Sequence, residues 1–139
     1  MYNDITEEII YFLQHHDVGT AGVNLFPERL PANPDKCMMV ESTGGFESTM
    51  KHGYTMATFR LLARADEGAD PRPAKELLAN SYDVLHGFGS ARLVEDGIWV
   101  ISIQAVQGAP VNIDRDDNNR HRFSQNYQME YRHVTSHRE

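Results

Sequence analysis

Cysteine is nearly absent from this sequence. The single one, Cys37, has no partner within the chain, so no internal disulfide can staple the fold. Its place at the head of an apolar run marks it as a small buried hydrophobe rather than a nucleophile. No apolar stretch approaches the roughly 18 residues from which a membrane-crossing helix is built, so no membrane partner is expected. The first residues carry Asp4, Glu7 and Glu8 and lack a basic start followed by an apolar run, so no targeting segment is expected there. Basic residues are the minority: 13 Lys and Arg stand against 20 Asp and Glu, a formal net charge of −7. Without a long block of Lys or Arg, the composition argues against stable gripping of a phosphate backbone. What remains is a chain expected to fold in a reducing cytosol on an ordinary core, 40% hydrophobic and 24% charged over 139 residues. That length suits one domain burying roughly 68% of its extended-chain surface and is too short for two sizeable ones. We expect a single domain over residues 1–133 and a loose tail over 134–139.

Motifs that carry chemistry are also missing. Of the seven histidines, His15 and His16 are adjacent and so face different sides of a helix, and the others are dispersed; none has the spacing of a zinc site. Gly44-Gly45 is followed by neither Lys-Ser/Thr nor a helical pattern, which removes a phosphate-binding loop, and no serine stands in a nucleophile elbow. Asp114, Asp116, Asn118 and Asn119 are dense enough to raise calcium. The pattern lacks the glycine required at its sixth place, and Gln125 stands where the twelfth-place glutamate belongs. No catalytic, cofactor or metal site is expected, and the chain is read as non-enzymatic.

The sequence is rich instead in alternation. Over 122–133, Phe123, Gln125, Tyr127, Met129 and Tyr131 point one way and Ser124, Asn126, Gln128, Glu130 and Arg132 the other, the period of a strand with one buried face. Two further long runs, 54–65 and 98–106, read as strands. The core faces expected are Thr55, Ala57, Phe59, Leu61 and Ala63 in the first, and Trp99, Ile101, Ile103 and Ala105 in the second. Trp99 has an alternative fate as an interface anchor, and Arg64 is expected to be a solvated charge at a strand end. Residues 37–43 are short and apolar enough for another strand, stopped by Gly44-Gly45. Residues 91–94 can turn through Glu95-Asp96-Gly97 into the run from Ile98, since Asp-Gly is a strong hairpin signal.

Two helices complete the pattern. One starts near Asp4, whose spacing to Glu7 suits a capping box, carries Ile5, Ile9, Phe12 and Leu13 on one stripe, and ends near His16. The other has Asp70 as cap, Pro71 at its first position, a stripe of Ala74, Leu77, Leu78, Tyr82 and Leu85, and a stop at His86-Gly87. Residues 19–35 and 46–53 are expected to be loops, and 114–121 a charged connection. The predicted fold is α+β, a four- to five-stranded antiparallel or mixed sheet packed against two helices.

The order of these landmarks resembles a known family. The N-terminal amphipathic helix is followed by Gly19-Thr20-Ala21-Gly22-Val23-Asn24-Leu25-Phe26, by Pro31 and Pro34-Asp35, by a strand closing on Thr43-Gly44-Gly45, and by a strand ending in Arg64-Ala65-Asp66. Asp116-Asp117-Asn118-Asn119-Arg120 then leads into Phe123-Ser124-Gln125-Asn126-Tyr127 and Tyr131-Arg132. Together they resemble the small phage minor capsid proteins that are similar to the tail terminator or tail completion proteins of long-tailed bacteriophages. The resemblance spans most of the chain; 46–54 departs from it, lacking a proline expected after the paired glycines.

The resemblance implies a virion structural protein made in the host cytoplasm. It would form a homo-oligomeric ring, commonly a hexamer, at the head-proximal end of the tail tube. There it ends tube growth and joins the tail to a head-completion or connector protein. Genomic DNA would pass through the lumen without specific binding, since an acidic balance denies it counterion-release binding. The expected subunit or tube contacts, placed by loop logic, are Leu25 and Phe26, then Phe46 and Met50 in the loop 46–50, then Asp114, Asp116, Asp117 and Arg120 in the charged connection. The alternative is an intracellular homodimeric adaptor or binding module of the same α+β fold, closed about a two-fold axis.

Overall fold

The alternation that dominates the sequence becomes the centre of the sheet. In the computed structural model, which describes residues 5–31, 36–46, 54–65, 71–95, 97–115 and 120–132, the elements run α1 (Ile5–His15), β1 (Leu25–Pro27), β2 (Cys37–Phe46), β3 (Tyr54–Arg64), α2 (Arg72–Leu85), β4 (Ala91–Arg92), β5 (Trp99–Ala105), β6 (Val111–Arg115) and β7 (His121–Arg132). The seven strands form one mixed sheet of order β1-β2-β3-β7-β5-β4, with β6 also on β7. Among these seven strands β1 pairs with β2 in parallel and the other pairings are antiparallel. Phe123, Gln125, Tyr127, Met129 and Tyr131 of β7 are all buried, as the alternation requires, and the Phe59 and Tyr127 rings stack at 5.1 Å between centroids.

Both helices belong to the same core. The stripe Ile9, Phe12 and Leu13 lays α1 over β1 and β2, and Ala74, Leu77, Leu78 and Leu85 lay α2 over β3, β7 and β5. Each large apolar side chain buried this way contributes about 1.5–3 kcal/mol. Ser81 is buried and Tyr82 only partly so, reversing the expected stripe; the Ser81 hydroxyl is satisfied by donating to the Leu77 carbonyl at 2.8 Å. Helix α2 begins at Arg72, one residue later than expected, with Pro71 at the N-cap and no side-chain cap. The expected caps Asp4 and Asp70, and the tail 134–139, lie outside the described residues.

The α+β class and the two helices agree with the sequence, while the sheet has more strands than the expected four or five. The additions are β1 and β6, one a three-residue strand within a proline-rich stretch and the other embedded in a charged run. Strand β2 does not stop at Gly44-Gly45 but continues to Phe46. A register shift between Ser42 and Gly44 makes Thr43 the extra residue of a bulge, and Gly44 takes φ +95°, which favours glycine.

A second bulge corrects the expected faces of β5. Val100 stands opposite Tyr131 and Ser102 opposite Glu130, so Ile101 is the extra residue. Before the bulge Ile98 and Val100 point inward; after it Ile103 does. Trp99 is thereby turned out of the core and is 42% exposed. Arg64 is corrected in the opposite sense. Its guanidinium is buried, donating to the Pro31 carbonyl at 2.6 Å, where the segment after β1 folds across the end of the sheet.

Candidate assembly surface

A β-sheet presents unpaired N–H and C=O groups along its edges, and a soluble chain must cover them or use them. This chain covers two of its edges at some length. Along the outer edge of β5, Gly87 donates to Ile103, Ile103 to Phe88, Ser90 to Ile101 and Leu93 to Ile98, all backbone to backbone at 2.8–3.2 Å. The cover is close: a Cβ on Gly89 would collide with the Ile101 carbonyl oxygen. The last open donor there, the Ala105 N–H, is taken by Nδ1 of His86 at 3.0 Å, with the His86 ring stacked on Tyr82. Along the outer edge of β2, strand β1 pairs residues 38–40, Glu28 donates its N–H to Val40, and the Glu28 carboxylate accepts from the Ser42 N–H at 3.3 Å.

Two stretches differ. Beyond Ser42, residues 43–46 of β2 have β3 on one side and, among the described residues, no backbone partner on the other. Strand β6 has β7 on one side and, among the described residues, nothing on its outer side. The two lie at diagonally opposite corners of the sheet, since β6 runs beside residues 121–124 of β7 while the 43–46 stretch runs beside the 56–58 portion of β3, which pairs with 128–130 of β7.

Strands β5 and β6 are two halves of one interrupted strand on the same edge of β7. The first pairs residues 127–132 and the second 121–124. Residues 106–110 loop out opposite Gln125 and Asn126, and Gln107 stitches the gap: its carbonyl accepts from the Gln125 side-chain amide at 2.7 Å and its Oε1 from the Asn126 N–H at 2.9 Å. Along this interrupted line stand Trp99, Val106, Val111 and Ile113, four of the large apolar side chains the fold leaves exposed. The face of the sheet away from the helices is mixed, with Met39 and Leu62 paired and buried on it beside Phe26. It carries the Arg60–Glu41 ion pair at 2.6 Å, a Thr43–Thr58 hydroxyl bond at 2.7 Å and Trp99.

The residues singled out from the sequence fall unevenly on these features. Leu25 was expected in a loop, either tucked against the domain edge or docked on a neighbouring subunit; it is a strand residue and fully buried, because β1 sets it opposite Met38 beneath α1. Its neighbour Phe26, pointing to the other side of the strand, is half-buried. Phe46 is the last position of β2, on the open stretch, rather than the first of a loop. Asp114 is a strand position opposite Arg122, not a turn residue. Arg120 is buried where the chain enters β7. Met50, Asp116 and Asp117 lie outside the described residues. Sequence reasoning missed β6 and with it Val111 and Ile113; the alternation Val111-Asn112-Ile113-Asp114 was the signal, masked by the charges that follow.

Among the described residues no three His, Cys, Asp or Glu side chains are placed to hold a metal, and no helix is long and apolar enough to cross a membrane. No curated protein matches this chain. A family model does: the one described as bacteriophage tail terminator protein matches residues 12–133, from within α1 to the end of β7.

Proposed function

This chain belongs to the bacteriophage tail terminator family, a structural family of the phage tail, and from that premise we propose that it forms a homo-oligomeric ring, a hexamer, at the head-proximal end of the tail tube. The ring ends growth of the tube and offers its other side to a head-completion or connector protein. The observation that carries this reading is the extent of the family match, which takes in every described strand of the sheet. The surface suits the role. A subunit in a ring stacked on a tube needs contacts on several sides, and open backbone and exposed apolar side chains lie at separate places on this one. Phe26, Phe46 and Asp114 remain candidate contacts, and the net charge of −7 suits a lumen that DNA crosses without sticking.

The test is direct. Purified protein is examined by solution mass and negative-stain imaging over a wide concentration range, alone and with polymerising tube protein. Six-membered rings that cap the tubes and limit their length are the expected result. A closed two-fold dimer that leaves tube length unchanged would replace this reading with the adaptor one. A neutral or basic bore in the assembled ring would remove the electrostatic account of the lumen alone.

A further inference from the structure

We propose that the open edge of β6 in one subunit pairs with the open stretch of β2, residues 43–46, in the next copy of the chain, joining neighbouring sheets into one antiparallel ladder. The inference rests on the ring reading above and supplies the contact that closes the ring.

Three observations converge on it. The chain covers the outer edges of β5 and of the first half of β2 with backbone, a histidine nitrogen and a carboxylate, yet leaves these two stretches without a partner among the described residues. An open edge is a ready template for pairing with another chain. The directions also agree. β2 is antiparallel to β3, β3 to β7 and β7 to β6, so β6 runs opposite to β2. A rotation about an axis along the strands keeps those directions, and β6 then meets the next β2 antiparallel. The side chains fit as well: Val111 and Ile113 on β6 are 44% and 39% exposed, apolar residues that a paired neighbour would shelter.

The geometry selects a ring over a dimer. Pairing two different edges is a heterologous contact, which closes into a ring or runs on as a filament, whereas β6 against β6 would satisfy one edge and strand the other. Because the open stretches sit at diagonal corners, each joined subunit is offset along the strands. A closed ring accommodates that offset only if the strands tilt to its axis, as they do in any closed barrel.

The inference is tested with Val111→Lys and Ile113→Lys, which place charge on the exposed edge and leave the core untouched, with Val23→Lys, at a still more exposed apolar position off both open stretches, as the control. The edge variants are expected to melt as the wild type does and to need at least about tenfold more protein to assemble; the control assembles normally. In parallel, Thr43→Cys and Ile113→Cys are combined in one chain, with Cys37 left in place because it is buried. Oxidation is expected to give covalent ladders ending at the ring size. Rings that form undiminished from both lysine variants overturn the edge contact while the ring reading stands. Disulfide dimers from Ile113→Cys alone overturn it in favour of two-fold pairing. Wild-type protein that never rises above a monomer, even with tubes present, overturns the ring reading and this inference with it.

Discussion

Glu8 on the first helix reaches across 90 positions of sequence to Ile98, its Oε1 accepting the Ile98 backbone N–H at 2.9 Å in a buried setting. Gly97 lies so close that a Cβ there would collide with the same carboxylate oxygen. Helix α1 is thus tied to the turn between β4 and β5 by a buried hydrogen bond, not by apolar contact alone. Glu8→Ala strands a buried donor and is expected to lower stability by about 1–3 kcal/mol. Glu8→Gln, whose carbonyl still accepts, costs less. Urea unfolding of the three proteins, followed by far-UV circular dichroism, gives the order.

Tyr127 carries the opposite kind of group. Its hydroxyl is buried with no hydrogen-bond partner among the described residues, and burial, then the neighbouring Tyr82, holds its pKa well above the ordinary tyrosine value. The folded state therefore keeps a proton that the unfolded state releases above about pH 10. Stability from this group is complete below that pH and falls as pH rises beyond it. Tyr127→Phe is expected to be neutral or stabilising by up to about 1 kcal/mol at pH 7 and to flatten the alkaline loss. Melting temperatures of both proteins between pH 7 and pH 11 show whether the two curves diverge.

The contrast between β7 and β5 shows what the sequence made legible and what it hid. On β7 alternation, burial and register agree from Gln125 to Tyr131, because an unbroken pleat links sequence parity to face. On β5 the same logic fails at Ile101, because one extra residue inverts parity for all that follows, and no residue type announces it. Strand β1 and the burial of Arg64 were hidden for a different reason. Both depend on partners far away in sequence, Met38 for Leu25 and the Pro31 carbonyl for the guanidinium. The open edges of β2 and β6 are properties of the assembled sheet. They became visible only when each strand's neighbours were known.

Gly89 tests how much the edge cover matters. Its backbone lies against the Ile101 carbonyl with no room for a Cβ, so Gly89→Ala must push residues 86–92 off β5 and break the bonds that Gly87, Phe88 and Ser90 make to it. We expect a loss of about 2–4 kcal/mol, at the upper end for a single substitution. A bared β5 edge should also self-associate. Thermal melts report the first effect and light scattering at increasing protein concentration the second. Concentration-dependent aggregation without a loss of stability would mean that the cover guards the edge but does not hold the fold.

Trp99 separates ring closure from docking. It is the chain's one tryptophan, it lies on the helix-free face opposite Arg132, and it is 42% exposed. Along β7 its pairing position is roughly 26 Å from the nearest β6 pair at about 3.3 Å per residue, and across the sheet it lies three strands, about 14 Å, from β2. Closure through β6 and β2 should therefore leave its emission unchanged. If this face meets the tube or the connector, the indole becomes dry only then, and its emission shifts to the blue when tubes are added. Trp99→Ala should cost the free subunit less than about 1 kcal/mol, as an exposed side chain does. The same change should weaken docking by about 2 kcal/mol or more, the scale of an aromatic anchor. A blue shift on ring formation without tubes would place Trp99 between subunits and relocate the docking face to another side of the ring.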